Sequence, residues 1–329
     1  MTTLDTSLLT QLNTYGATRR PFLLLVDFEQ EQPQLWPLDQ LPADEIQLDF
    51  PAWRNTESPT EAKVAALQWA PHYPSAERYQ AAFQTVQAGL QRGDSFLLNL
   101  TFPTDIVTNW NLRTIFEQTQ ARYRLWWRDH FTVFSPETFV KIRDHKIYSY
   151  PMKGTLGRHL PGELLLQNPK EIAEHATIVD LIRNDLSQIA SRVRVEKYRY
   201  LETINTAQGG LWQTSTRIAG QLPIGYQNRL GDLLAWLLPA GSISGAPKPA
   251  TLGIIQEAEG QKRGFYTGVA VLCDGQQLDS CVLIRLVEQT ATGLRYWSGG
   301  GITAYSDWQE EYQELKEKVY LPVKTAVLA

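Results

Sequence analysis

The chain has 329 residues, 43% of them apolar and 11% aromatic, which is enough for a sizeable core in one large domain or two. Its net charge of −4, with both signs interspersed, leaves no basic footprint for nucleic acid, and no apolar stretch approaches the roughly 18 residues of a membrane span. Two cysteines (Cys273, Cys281) cannot make a disulfide framework, five scattered histidines offer no zinc spacing, and the polar start lacks a signal-type apolar core, so the composition predicts a cytoplasmic protein.

Residues 22–28 form an apolar run that predicts a strand, with a partner expected near Leu35-Trp36. Residues 40–62, rich in Pro, Asp, Glu and Thr, read as surface loop. Ser75 is a good helix N-cap. Tyr79, Ala82, Phe83, Val86 and Leu90 follow as a stripe at helical spacing, ended by Gly93. Residues 93–101 then read as a buried strand. Asn99 interrupts it and must find hydrogen-bond partners, either as a satisfied core group or as a site residue. A helix from Asn111 and a tryptophan-rich strand over residues 125–127 lead to Ser135-Pro136-Glu137, which puts Glu137 at a strand entry.

Residues 139–143 and 146–150 alternate in the strand period around a tight Asp144-His145 turn. Lys153, in Pro151-Met152-Lys153-Gly154-Thr155, therefore falls just past a strand end. Pro151 fixes the backbone before it and Gly154 permits a close approach after it. A lysine there is either a solvated turn residue or an amine aimed into a cleft as a nucleophile. Asn168, Pro169 and Glu171 then open a well-capped helix. Glu174, Ile178, Leu181 and Asp185 share one of its faces, so its acids are either ordinary end-of-helix groups or carboxylates that need a cationic partner.

Residues 192–220 read as two antiparallel strands, and Leu230, Leu233, Leu234 and Leu237 as a helix. The small residues of 239–248, before a helix from Pro249, can present backbone N–H groups to an anion. Strands over 264–273 and 277–287 turn at Asp274-Gly275. A later strand ends in Gly299-Gly300-Gly301, where the absence of side chains leaves room for a ligand. The last helix begins near Ser306 and carries Glu310, Glu311, Glu314 and Glu317. Antiparallel strands with interspersed helices predict an α+β layered architecture. Residues 1–74 are expected as a short N-terminal portion packed on a domain spanning 75–329.

Eight motifs, in one order over roughly residues 75–320, resemble those of the chorismate-utilising enzymes, and within them the aminodeoxychorismate synthase component I branch. They are Gly93-Asp94…Asn99-Leu100-Thr101, Ser135-Pro136-Glu137, Pro151-Met152-Lys153-Gly154-Thr155, Glu174-His175…Arg183-Asn184-Asp185-Leu186, and the Pro239 to Lys248 segment. Asp279…Ile284-Arg285, Gly299-Gly300-Gly301-Ile302 and Glu311-Tyr312-Gln313-Glu314 complete the set. The resemblance implies two facing antiparallel sheets with helices outside and the active site between. It assigns Mg²⁺ to Glu174 and Glu314, and the carboxylates of chorismate to Arg285 and Gly299, Gly300 and Gly301. Thr155, Ser242, Ser244 and Gly245 join them as substrate-binding residues.

The same resemblance makes Lys153 the nucleophile and Glu137 the general acid. Related anthranilate synthases carry alanine at the position of Lys153, and the isochorismate and salicylate branch has a general-base lysine where Leu97 stands. The implied reaction joins ammonia to chorismate and gives 4-amino-4-deoxychorismate, toward p-aminobenzoate and folate. The ammonia is expected from a separate glutamine amidotransferase subunit or from solution, because no Cys-His-Glu arrangement suggests a glutaminase here. Anthranilate synthase component I and a catalytically silent chorismate-binding subunit are the alternatives. Three departures stand out: Trp212 replaces the usual histidine before the Ser-Thr pair, Ser187 stands where glycine is common, and the N-terminal Leu-Leu-Glu-Ser motif of tryptophan-inhibited relatives is missing.

Overall fold

The computed structural model describes residues 4–56, 64–204 and 210–323. Two sheets, each of nine strands among the described residues, pair only antiparallel neighbours. The first runs in the order Met152–Gly157, Leu211–Gln221, Lys146–Ser149, Thr138–Arg143, Leu278–Val282, Val269–Cys273, Phe22–Val26 and Gln34–Pro37, with Ser191–Ile204 also pairing Leu211–Gln221. The second runs Gly245–Ala246, Leu97–Thr108, Gly293–Ile302, Leu286–Thr290, Phe131–Ser135, Tyr123–Trp127, Ile46–Phe50 and Trp53–Arg54, with Trp69–His72 against Leu97–Thr108.

Strand Phe22–Val26 explains the layering, because it is buried on both faces. Leu23 and Leu25 enter a cluster with Leu48, Leu125, Val133 and Leu286, the core between the facing sheets. Phe22, Leu24 and Val26 point the other way. There they join Leu12, Phe83, Ile182, Leu234 and Ile254 from the covering helices. A third cluster, around Trp110, Ile115, Phe134 and Tyr296, covers the outer face of the second sheet. The result is an α+β fold of two facing antiparallel sheets with helices outside. Cys273 and Cys281 are buried, free thiols. Among the described residues no helix is long and apolar enough to cross a membrane.

Helix starts follow the caps read from sequence: Ser75, Asn111 and Asn168 each accept backbone N–H bonds at their helix N-termini. Several strand assignments differ. The expected loop over 40–62 contains Ile46–Phe50, whose alternating Ile46, Leu48 and Phe50 are buried against the Tyr123–Trp127 strand under a polar composition. The strand expected from 93 starts only at Leu97 and continues to Thr108. Residues 264–268 turn rather than extend, with Gly264 and Thr267 at positive φ. The segment 277–287 is cut in two, since Leu278–Val282 belongs to the first sheet and Leu286–Thr290 to the second. Arg285, at φ 56°, stands at the crossing between the sheets.

Lys153 lies inside a strand rather than beyond one. Met152–Gly157 pairs with Leu211–Gln221, and its register slips between Lys153 and Thr155. Gly154, at φ 70°, forms that bulge. A Cβ there would stand 2.4 Å from Glu171 Oε2, the movable end of a side chain, so it is the left-handed φ that calls for glycine.

Candidate active site

A cleft of about 1150 Å³ opens where the two sheets meet, walled by residues of both and by helices Pro169–Ser187 and Trp308–Glu317. Lys153 and Thr155 enter it from the bulged strand, and the Thr214 hydroxyl holds the Lys153 carbonyl from behind. Thr214 and Thr216 in turn meet the buried His175, at 3.4 Å from Nδ1 and 2.6 Å from Nε2. Burial, aided by the charges of Arg199 and Lys153, takes His175 down to about 4, so this support is a neutral imidazole at ordinary pH.

The Lys153 amine donates to Glu174 Oε2 at 2.8 Å. Burial works against its charge, but Glu174, Glu314 and Glu171 outweigh that and raise its pKa, so Lys153 is an ammonium in this arrangement. Glu137 sits in the turn between Phe131–Ser135 and Thr138–Arg143, and its Oε1 accepts a 2.7 Å bond from the Ser242 hydroxyl. Burial pushes its pKa above the usual carboxylate value, and Ser242, Arg285, Lys153 and Lys318 offset only part of that. A carboxyl so placed can keep a proton to donate.

Opposite these groups, Arg285 lies over the Tyr320 ring at 5.3 Å and faces the cleft. Lys318 holds Glu314 Oε1 at 2.5 Å and donates to the Gly299 carbonyl at 2.8 Å. Burial raises Glu171 and Glu311, and their carboxylate neighbours add to it. Glu171 Oε2 is buried with no hydrogen-bond partner. Two hard carboxylates at the cleft, Glu174 and Glu314, with that unpartnered oxygen beside Gly154, suit a cation of the Mg²⁺ type, which takes one or two carboxylates and keeps water. Among the described residues no three His, Cys, Asp or Glu side chains converge as a ready-made metal cage.

Of the residues expected here, Lys153, Glu137, Thr155, Ser242, Arg285, Gly299, Gly300, Gly301, Glu174 and Glu314 all line the cleft. Ser244 and Gly245 are in the wall behind it. The Ser244 hydroxyl is buried on the Ala240 carbonyl, and Gly245 pairs with Leu98. The three glycines also divide: a Cβ on Gly299 would strike Leu100 O at 2.3 Å, so its role is strand packing. Cβ atoms on Gly300 and Gly301 would approach Glu311 Oε2 (3.3 Å) and Lys153 Nζ (3.5 Å), so these two keep the cleft open. Asn99 lines the cleft while its carbonyl accepts from Arg263.

Trp212 turns away from the cleft, donating to the Leu160 carbonyl at 3.1 Å, and its neighbour Gln213 lines the cleft instead with a buried, unpartnered Oε1. Sequence reading missed Gln213, Lys318, Glu171 and Tyr266. Only Lys318 left a signal, four residues after Glu314 at the end of one helix.

Residues 16–324 match the family model for chorismate binding enzymes. An uncharacterized PabA-like protein of Haemophilus influenzae is 50% identical over 96% of each chain. Aminodeoxychorismate synthase component 1 of Klebsiella aerogenes is 31% identical over 90% of this chain and 67% of that protein. The fold is similar to MenF, the menaquinone-specific isochorismate synthase of Escherichia coli, at TM-score 0.72 and 18% identity over 95% of this chain and 79% of that one. The chain belongs to the chorismate-binding enzyme family.

Proposed function

We propose that this family member is the aminating component of an aminodeoxychorismate synthase. Chorismate and ammonia would give 4-amino-4-deoxychorismate and water, with ammonia from a separate glutamine amidotransferase subunit. A lyase acting afterwards would release p-aminobenzoate for folate synthesis. The observation that carries this reading is a single cleft lined by the Lys153 amine and by a buried Glu137 carboxyl whose pKa is raised, with Arg285 facing both.

The Lys153 ammonium first releases a proton to solvent; its neutral nitrogen then bonds to C2 of the ring, the ring double bond shifts, and the C4–O bond breaks. Glu137 gives the departing oxygen its proton, so the hydroxyl leaves as water. Ammonia then bonds to C4, the double bond shifts back, and the C2–N bond breaks to return the amine to Lys153. The surplus proton of the incoming nitrogen restores Glu137. Arg285 offers a two-pronged guanidinium to one substrate carboxylate, and Lys318 adds a second cation at the same wall. A divalent cation at Glu174 and Glu314, when bound, neutralises another carboxylate.

Incubating the chain with chorismate, Mg²⁺ and ammonium and analysing products by chromatography and mass spectrometry tests this. 4-Amino-4-deoxychorismate is the expected product. Anthranilate would make the chain an anthranilate synthase component, and an absence of turnover would reduce it to a silent binding subunit.

A further inference from the structure

Both carboxylates read as cation ligands are engaged by amines. Glu174 Oε2 lies 2.8 Å from Lys153 Nζ, and Glu314 Oε1 lies 2.5 Å from Lys318 Nζ. The Lys153 and Glu174 side chains are only 25% and 19% exposed, so solvent screens that contact less than a surface pair, while in the second contact Lys318 is 27% and Glu314 50% exposed. Space for the amines to move lies alongside. Cβ atoms on Gly301 and Gly300 would stand 3.5 Å from Lys153 Nζ and 3.6 Å from Lys318 Nζ, and neither glycine has one.

We propose that Lys153 and Lys318 are the resident counter-cations of Glu174 and Glu314, and that a divalent cation exchanges with them, so that its uptake frees the nucleophile. The inference rests on reading Glu174 and Glu314 as cation ligands. It goes beyond that reading by making cation uptake the event that arms Lys153. The exchange is competition for the same oxygens. An ammonium held at hydrogen-bond distance occupies the lone pairs that a cation of octahedral habit requires, and two positive centres on one carboxylate oxygen repel. By linkage the effect is reciprocal: the factor by which the lysines weaken cation binding is the factor by which the cation weakens their contacts. Lys318, released from Glu314, stays near the Gly299 carbonyl and faces the same cleft as Arg285, where it can meet a substrate carboxylate. Lys153, released from Glu174, is free to turn toward the ring carbon that the proposed reaction has it attack.

Mn²⁺ binding to the full chain without substrate, read by electron paramagnetic resonance, tests the exchange. Lys153→Met and Lys318→Met should each bind Mn²⁺ more tightly, by about 5- to 150-fold, the usual size of coupling between two ligands. Lys153→Arg should bind no more tightly than wild type, and Glu174→Gln should lose binding. Lys262→Met is the control for bulk charge, because that amine pairs with Glu31 and does not line the cleft. Equal tightening in Lys262→Met overturns the proposal. Unchanged affinity in both Met variants, with wild-type binding intact, overturns the exchange but leaves the cation reading standing. Failure of every variant to bind Mn²⁺ overturns both. A second measurement needs no variant: peptide-level mass spectrometry after brief treatment with an amine-reactive ester should show Lys153 labelled more with Mg²⁺ than without it. Equal or lower labelling with Mg²⁺ refutes its release.

Discussion

Replacing Glu259 with Gln tests how the cleft wall is held. Glu259 and Arg263 are 0% and 1% exposed and joined at 2.6 Å. Glu259 also accepts from Thr101 N–H and Oγ1 at 2.8 and 2.9 Å, and from Arg263 Nε at 2.9 Å. Arg263 in turn donates to the carbonyls of Ile243 and Asn99, both residues of the cleft lining. Glutamine can keep the Thr101 bonds through its oxygen, but it turns an NH₂ toward a guanidinium that has only donors. An uncompensated buried charge costs about 3–5 kcal/mol. With 329 residues and an unfolding entropy of about 2.1 cal/mol/K per residue, that lowers Tm by roughly 4–7 °C. Denaturant unfolding followed by circular dichroism gives the loss directly. A loss below about 1 kcal/mol would refute the claim that this pair is dry and uncompensated, since that is the scale of exposed pairs. The double variant Glu259→Leu/Arg263→Leu should regain much of the stability, because removing both charges removes the buried penalty.

Further outcomes follow from the cleft. Glu137→Gln should lower turnover by about 10²- to 10⁴-fold, the usual contribution of a general acid. Because Glu137 acts protonated and its pKa is raised by burial, the wild-type rate per free NH₃ should fall as pH rises through that pKa; a Glu137→Gln enzyme that keeps this alkaline limb would show that the limb belongs to another group. Lys153→Ala should still bind chorismate but form no covalent adduct, whereas wild type quenched during turnover should carry one on the peptide containing Lys153; an unimpaired Lys153→Ala enzyme would return Lys153 to an ordinary lysine. EDTA, Glu174→Gln or Glu314→Gln should abolish turnover without altering the circular dichroism spectrum, and full activity in EDTA would remove the cation. Glutamine alone should give no product, while ammonium should; glutamine-dependent product from the pure chain would count against a separate glutaminase.

The features legible from sequence were those fixed within a turn or two of chain. Ser75, Asn111 and Asn168 act on N–H groups two or three residues away, so their helices could be placed to the residue. The crossing at residues 283–285 could not, because Cys281, Val282, Leu283 and Leu286 are all buried and the run reads the same whether it stays in one sheet or changes sheets. Lys318 and Gln213 become site residues only when helix Trp308–Glu317 and strand Leu211–Gln221 face one cleft, which no local pattern reports.

Trp212 and Gln213 show how far a motif can carry and where geometry must take over. Side chains on a strand alternate between faces, so a one-residue change of register swaps which neighbour meets the ligand. Here the register is set by the bulge at Gly154, across which Lys153 pairs with Thr214 and Thr155 with Gln213. On the unbroken partner strand Trp212 and Gln213 face opposite ways, Trp212 out to the Leu160 carbonyl and Gln213 in to the cleft. Lys153 and Thr155, two residues apart, share the cleft face, with Gly154 between them lying against Glu171 and Leu165. The identity of the amine can therefore be read from a motif, but its surroundings come from other elements, Glu174 on a helix and Thr214 on the neighbouring strand. A departure from the family pattern at Trp212 alters the outer face of the strand, and the residue that lines the cleft there is Gln213.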